Sequence, residues 1–198
     1  MVKLDRKQPE TVQTFQEYMA QRLPQSLVDS GKAMLNENRA LLEEVGRKFG
    51  VQPRFIVALW GVETRYGKYT GGFSVIDALT TLAYDNRRAA YFRKELLLAL
   101  KILDEDHIDL ADMKGSWAGA MGQSQFMPSS FVNFAVDYDA DGRRDIWTTK
   151  ADVFASAANY LSRSGWQYDQ TWGREVRLPK NFDLSLIDLK VAKPMREW

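Results

Sequence analysis

From about residue 10 to Gly165 the sequence is a succession of segments with helical apolar spacing, each closed by a glycine, a proline or a capping residue. That pattern predicts a mainly α fold. A short helix is expected over 10–22, stopped at Pro24. A second runs from Ser26 to Phe49, with Leu27, Met34, Leu35, Leu41, Leu42 and Val45 on its apolar side and Gly50 as its stop. Pro53 fits the first turn of a third helix that ends near Gly67. Ser74 to Asp77 resembles a capping box, Asp85 is placed to cap a long helix through Leu103, and Thr149 opens another that runs to Gly165. After Gly173 the texture changes. Glu175-Val176-Arg177-Leu178 alternates as a strand does, and Pro179, Asn181 and Asp183 mark turns. The expected division is an N-terminal helical segment over 1–50, a core over 51–172, and the start of a small β-containing subdomain over 173–198.

Composition removes most chemistries. The 198 residues, 45% hydrophobic and 27% charged, suffice for a buried core without staples. Lys+Arg 27 against Asp+Glu 26 leaves no bulk basic field for nucleic acid or an anionic membrane. There is no cysteine, hence no disulfide, thiolate nucleophile or cysteine-ligated zinc. The single histidine, His107, lies in the charged run from Asp104 to Asp109 and reads as a solvated helix end. Acid–base work therefore falls to carboxylates, lysine or tyrosine. The longest apolar run, Phe55 to Val62, is far short of the roughly 20 residues that span a bilayer. The opening MVKLDRKQPE has no signal-peptide stretch, although a removed signal would leave the same picture.

One carboxylate stands out. Glu63 sits four residues after Leu59, three after Trp60 and seven after Ile56, which places it on the apolar face of its helix. It also falls in the last turn, where the helix dipole disfavours an anion. Both effects raise a carboxyl pKa, as a general acid near neutral pH requires. The alternative is a structural glutamate paired with Arg65 or a distant cation. Around it cluster Trp60, Tyr66, Tyr69, Phe73, Tyr84, Tyr91, Phe92 and Trp117, suited to sugar faces or to core packing, the latter preferred for Phe73 and Phe92. The glycine-rich run from Gly115 to Pro128 lets backbone pass close to another group. Its Ser116, Gln123 and Gln125 offer neutral hydrogen-bonding groups for hydroxyls and acetamides, and it lacks phosphate-loop spacing.

A second acidic constellation, Asp137-Tyr138-Asp139-Ala140-Asp141-Gly142-Arg143-Arg144-Asp145, fits the start of an EF-hand-like calcium loop. Asp137, Asp139 and Asp141 stand at positions 1, 3 and 5, the Arg143 carbonyl at 7 and Asp145 at 9, with Thr148 in place of the usual glutamate. Asp152, in the next helix, is the expected extra ligand of a structural calcium ion. The alternative is an Asp/Gly-rich turn neutralised by Arg143 and Arg144.

The runs GVETRYG, TLAYDNRRAAYFRKEL, GSWAGAMGQSQFMPSS, AVDYDADGRRDIW and ASAANYLSRSGW, in this order, resemble the lytic murein transglycosylase B family, glycoside hydrolase family 103, from about Gln8 to Trp198. The resemblance implies a lysozyme-like core that cleaves the MurNAc-β-1,4-GlcNAc bond of peptidoglycan. In that chemistry the MurNAc 6-hydroxyl closes on its own C1 and leaves a 1,6-anhydro end. Glu63 falls on the family's catalytic glutamate. Ser116, Gln125, Tyr91 and Tyr160 fall on residues lining the saccharide site, and Arg87 and Arg88 on an arginine pair near substrate carboxylates. Read without the family, two alternatives stand level for the arginines: solvated first-turn residues, or an anion-binding pair, since arginine there opposes the helix dipole. The resemblance further implies no catalytic cofactor, a bound calcium, peptidoglycan strands as partner, and a periplasmic or outer-membrane-associated location; the sequence leaves the oligomeric state open, with a monomer favoured. Family members continue beyond the equivalent of Trp198, so the β subdomain and groove are expected to be incomplete here. Two alternatives stand beside the lyase: a hydrolytic muramidase, and a peptidoglycan-binding protein with reduced turnover.

Overall fold

Proline and glycine punctuation sets most helix ends where the sequence places them. The computed structural model describes residues 1–5, 14–170, 173, 175–188 and 190–197. In chain order the helices are α1 (Val2–Asp5), α2 (Phe15–Arg22), α3 (Gln25–Glu37), α4 (Arg39–Phe49), α5 (Pro53–Thr64), α6 (Val75–Tyr84), α7 (Ala89–Asp104), α8 (Pro128–Phe134) and α9 (Lys150–Arg163). Two short strands, β1 (Phe73–Ser74) and β2 (Lys114–Gly115), pair antiparallel, Phe73 opposite Gly115 and Ser74 opposite Lys114. Residues 10–13 of the first predicted helix lie outside the described residues. Its visible part is opened by a full capping box between Thr14 and Glu17.

Two boundaries differ from expectation, each for a local reason. The predicted helix from Ser26 to Phe49 is two helices, broken at Asn38, whose backbone turns to φ −107°, ψ 18° and whose side-chain Nδ2 donates to the Met34 carbonyl at 2.8 Å. Asparagine competes with the helix for backbone groups, and this one ends α3. Asp85 does not open α7. It terminates α6 in extended conformation, and α7 begins at Ala89 with Arg88 at its N-cap and no side-chain cap. Arg87 and Arg88 thus precede the helix. Ser74 caps α6 by accepting from the Asp77 amide at 3.2 Å.

The chain forms two compact units, Met1–Tyr168 and Asp169–Trp198. Within the first, buried side chains gather in two cores. One joins α4, α5 and α9 through Leu42, Val45, Ile56, Val57, Trp60, Val153 and Phe154. The other joins α6, α7, α8 and the glycine-rich loop through Leu79, Leu82, Phe92, Ile102, Met121, Phe126 and Phe131. The second unit contains 3-10 turns at Leu184–Leu186 and Met195–Glu197. The predicted strand at Glu175–Leu178 is not one. Its described residues pair with no strand, and Val176 and Leu178 are exposed. Alternation alone does not make a strand without a neighbouring backbone to complete its ladder.

Candidate active site

The buried stripe of α5 is Ile56, Val57, Trp60, Gly61 and Thr64. Glu63 falls at its edge and its side chain is exposed, so the expectation of a fully apolar face is corrected. The wheel positions of Leu59, Trp60 and Ile56 are right, but the core no longer covers that side at the helix end. Water reaches the carboxyl, while dense protein around it strips part of its hydration. The Glu63 pKa is accordingly raised by burial, and Arg22 offsets this in part. Glu63 makes no hydrogen bond or ion pair with any described residue. Arg65 is not its partner. That guanidinium lies 5.8 Å from the centre of the Tyr69 ring.

The end of α5 is fixed tightly around this free carboxyl. The chain leaves the helix through Arg65 and Tyr66, both left-handed at φ 48° and 62°, a conformation that costs non-glycine residues on the order of 1–2 kcal/mol each. The Tyr66 hydroxyl donates to the Leu27 carbonyl at 2.7 Å, and its ring stands edge-on to Trp60 at 5.4 Å. A Cβ on Gly61 would meet the Tyr66 ring at 2.6 Å, so this helix position must be glycine. Gly67, at φ 80°, faces the Gln123 amide, and a Cβ there would collide with it. The buried Thr64 hydroxyl lies 2.9 Å from the Gln123 carbonyl and 3.2 Å from the Trp60 carbonyl, and accepts from the Gly67 amide at 3.1 Å. Trp60 Nε1 donates to Gln123 Oε1 at 2.7 Å, and Gln123 Nε2 donates to the Trp147 carbonyl at 2.7 Å. Gln123 is therefore a tie inside the protein, not the free sugar-binding amide that its composition suggested. Trp60, 3% exposed, is core.

The remaining candidates fall into two sets. The first belongs to the loop that meets α5. Ser116 Oγ accepts from the amides of Ala118 at 3.3 Å and Ala120 at 3.0 Å, which leaves its proton available. Gln125, left-handed at φ 47°, donates through Nε2 to the carbonyls of Thr70 and Gly122, each at 3.0 Å, so its Oε1 remains to accept. Tyr160 on α9 packs against Phe126 and Phe134 at 5.7 and 5.1 Å. The second set stands where α7 begins. Arg88 lies 4.5 Å from the centre of the exposed Tyr91 ring, and Arg87 is exposed beside it. Phe92 is buried as expected, whereas Phe73 is 40% exposed and does not belong to the core.

In the acidic loop, Asp137, Asp139 and Asp152 bring carboxylate oxygens within 4.8 Å of one another. Asp152 is buried and accepts from the amides of Tyr138 and Asp145, both at 2.7 Å. Burial pushes its pKa up to about 6; the two amide hydrogen bonds oppose this, and Asp139 and Asp137 reinforce it. Asp141 and Asp145 are not part of the convergent group. Asp141 accepts from the Arg143 amide at 2.8 Å. Asp145 turns to Trp147, Thr148 and Thr149, and although burial works against its charge, these hydrogen bonds outweigh that and hold its pKa low. Arg144 does not neutralise the loop. It lies against His107, with Nε 3.0 Å from His107 Nε2, and pairs with Glu105 at 3.0 Å.

That contact corrects the reading of His107, which is buried at 9% exposure against Phe131, not solvated. Its pKa is lowered, by burial first and then by Arg144. The charged run is real, but the chain turns at Asp106 (φ 57°), and the ring enters the core beside it. Sequence reasoning also passed over Glu95, buried on α7, which accepts from the Ser129 amide at 2.8 Å. No periodicity marks such a long-range partner.

Residues 1–198 match the family described as Transglycosylase SLT domain. The chain is 41% identical over 140 residues to the Escherichia coli (strain K12) membrane-bound lytic murein transglycosylase B, which covers 70% of this chain and 38% of that protein. SltB3 from Pseudomonas aeruginosa, solved in complex with NAG-NAM-pentapeptide, superposes with a TM-score of 0.96 at 46% identity, over 100% of this chain and 53% of that one. The Escherichia coli lytic transglycosylase Slt35 in complex with calcium superposes with a TM-score of 0.74 at 37% identity, over 78% and 50%. The chain thus spans about half the length, or less, of the proteins it matches. Its mainly helical, lysozyme-like fold is theirs, and by the match along its whole length the chain belongs to the transglycosylase SLT domain family.

Proposed function

We propose that this chain is a peptidoglycan lytic transglycosylase that cleaves the MurNAc-β-1,4-GlcNAc bond and leaves a 1,6-anhydro-MurNAc end. One observation carries the reading: Glu63 is reachable from solvent, has no hydrogen bond or ion pair to a described residue, and is shifted toward the protonated form. Among the described residues no second carboxylate acts on it, whereas retaining glycosidases hold two about 5 Å apart. A single acid fits a reaction whose nucleophile is already on the substrate. Protonated Glu63 gives its proton to the leaving oxygen as positive character grows at C1. The resulting carboxylate then takes the proton of the 6-hydroxyl, which attacks C1. Tethering of the nucleophile replaces a positioned water. The Ser116 hydroxyl proton and Gln125 Oε1 have hydrogen-bonding capacity left and would bind the sugar's acetamide and hydroxyls, with Tyr160 and Tyr91 as stacking walls. Arg87 and Arg88 would take stem-peptide or lactyl carboxylates, in keeping with the peptide-bearing ligand of SltB3.

The acidic loop would hold a structural calcium ion. Three convergent carboxylates, one of them buried and pushed to about 6, form a hard-oxygen donor set of the kind calcium takes. Asp137, Asp139 and Asp152 would be direct ligands, with Asp141 and the Arg143 carbonyl as further oxygens. Asp145 would brace the loop through its threonines. The ion would neutralise the cluster and stiffen the segment that reaches Gln123. With peptidoglycan as partner, the site of action is the periplasm or the outer-membrane surface. No helix among the described residues is long and apolar enough to cross a membrane. Digestion of purified sacculi tests the reading, since a lyase leaves anhydro ends and a hydrolase leaves reducing ends.

A further inference from the structure

Glu63 has no polar contact of its own, so the backbone beneath it sets where its carboxyl stands. Beside Tyr66, one residue of the glycine-rich loop holds that backbone. Gln123 accepts from Trp60 Nε1 at 2.7 Å through Oε1, and its carbonyl lies 2.9 Å from the Thr64 hydroxyl. These two contacts grip the last turn of α5 on either side of Glu63. Gln123 also donates through Nε2 to the Trp147 carbonyl at 2.7 Å, and through its amide to the Ile146 carbonyl at 2.8 Å. The helix end of one core is thereby fastened to the segment closing the other. Only an uncharged side chain with both an acceptor and a donor at this length meets both Trp60 and Trp147.

We propose that Gln123 is a positioning residue for Glu63, a role that rests on the reading of Glu63 as the acid and base. A general acid must lie within hydrogen-bond reach of its target oxygen, and a displacement of about 1 Å costs on the order of 100-fold in rate. Gln123 fixes the angle from which the carboxyl enters the site and the protein density around it.

The test compares wild type, Gln123→Met, Gln123→Glu and Glu63→Gln in the full chain. Turnover on sacculi and glycan-fragment affinity are measured for each, and the Glu63 titration, followed by carbon-13 NMR of labelled glutamate, for those that keep Glu63, with Glu63→Gln identifying its signal. Gln123→Met matches the length and removes both side-chain hydrogen bonds. It should lower turnover by about 10-fold to 100-fold, leave fragment affinity within about twofold, and move the Glu63 titration toward the ordinary glutamate value. Gln123→Glu keeps the acceptor for Trp60 but donates to Trp147 only when protonated, so its turnover relative to wild type should rise as the pH is lowered. Wild-type turnover with an unmoved Glu63 titration in Gln123→Met overturns the proposal. So does a loss of affinity equal to the loss of turnover. If Gln123→Met does not fold, Thr64→Val, which removes the hydroxyl that contacts the Gln123 and Trp60 carbonyls and accepts from the Gly67 amide, carries the same expectations. If Glu63→Gln proves fully active, the acid–base reading fails on its own, and the Glu63 titration in Gln123→Met still decides whether Gln123 sets its environment.

Discussion

Trp60 and Gln123, sixty-three positions apart in sequence, meet through a 2.7 Å hydrogen bond from the indole Nε1 to the amide Oε1. The bond joins a buried residue of the first core to the loop that carries Met121 and Phe126 in the second. Glu63 stands beside that join.

Trp60→Phe keeps an aromatic ring against Phe154 and Tyr66 but removes the donor and part of the indole's volume. It leaves Gln123 Oε1 half-buried without its partner, a loss expected to cost about 1–3 kcal/mol. Denaturant unfolding monitored by far-ultraviolet circular dichroism should show a lower midpoint with an unchanged slope. An unchanged midpoint would mean that the bond contributes nothing.

Turnover should depend on the protonated form of Glu63. Because burial raises its pKa above 4.5, activity should fall as the pH rises through a value higher than that of an ordinary glutamate. A pH–rate profile on soluble glycan fragments gives that limb. A limb at or below the ordinary value would contradict the partial dehydration.

His107 links stability to pH in a defined direction. The unfolded ring titrates near 6.5 and the folded ring lower, so below 6.5 the unfolded chain takes up the proton first. Stability is therefore full above 6.5 and declines as the pH falls through the folded value. Melting curves at pH 7.5 and 5.5 should show a smaller acid loss in His107→Gln than in wild type. Equal losses would show that the ring does not titrate in this way.

Calcium should raise the melting temperature of chelator-treated protein, and the rise should shrink sharply in Asp152→Asn. Because the Asp152 carboxyl must ionise to bind and its pKa stands at about 6 without metal, calcium affinity should weaken as the pH drops below about 6. Calorimetry that finds neither binding nor a melting shift removes the metal.

What was legible in the sequence is what local rules govern. Pro53, Gly50 and Ser74 mark real helix ends, and the wheel placed Glu63 beside Leu59 and Trp60. The spacing of the acidic loop put forward Asp137, Asp139, Asp141 and Asp145, with Asp152 added from the next helix, and of these Asp137, Asp139 and Asp152 converge while Asp141 and Asp145 turn elsewhere. The remainder depended on contacts distant in the chain. Gln123 and Trp60 look like ligand-facing groups until their bond is seen, and His107 looks solvated until Arg144, thirty-seven positions on, is seen against it. The exposure of Glu63 follows from where the core stops, which periodicity within one helix does not carry. The Glu175–Leu178 alternation misled because a strand is a property of two segments.

The most direct test of the account is the mass analysis of products released from purified sacculi by wild type and by Glu63→Gln. The account expects 1,6-anhydro-muropeptides from wild type and a loss of at least about 100-fold in the variant. Reducing-end products from wild type, or anhydro products released equally well by Glu63→Gln, would contradict it.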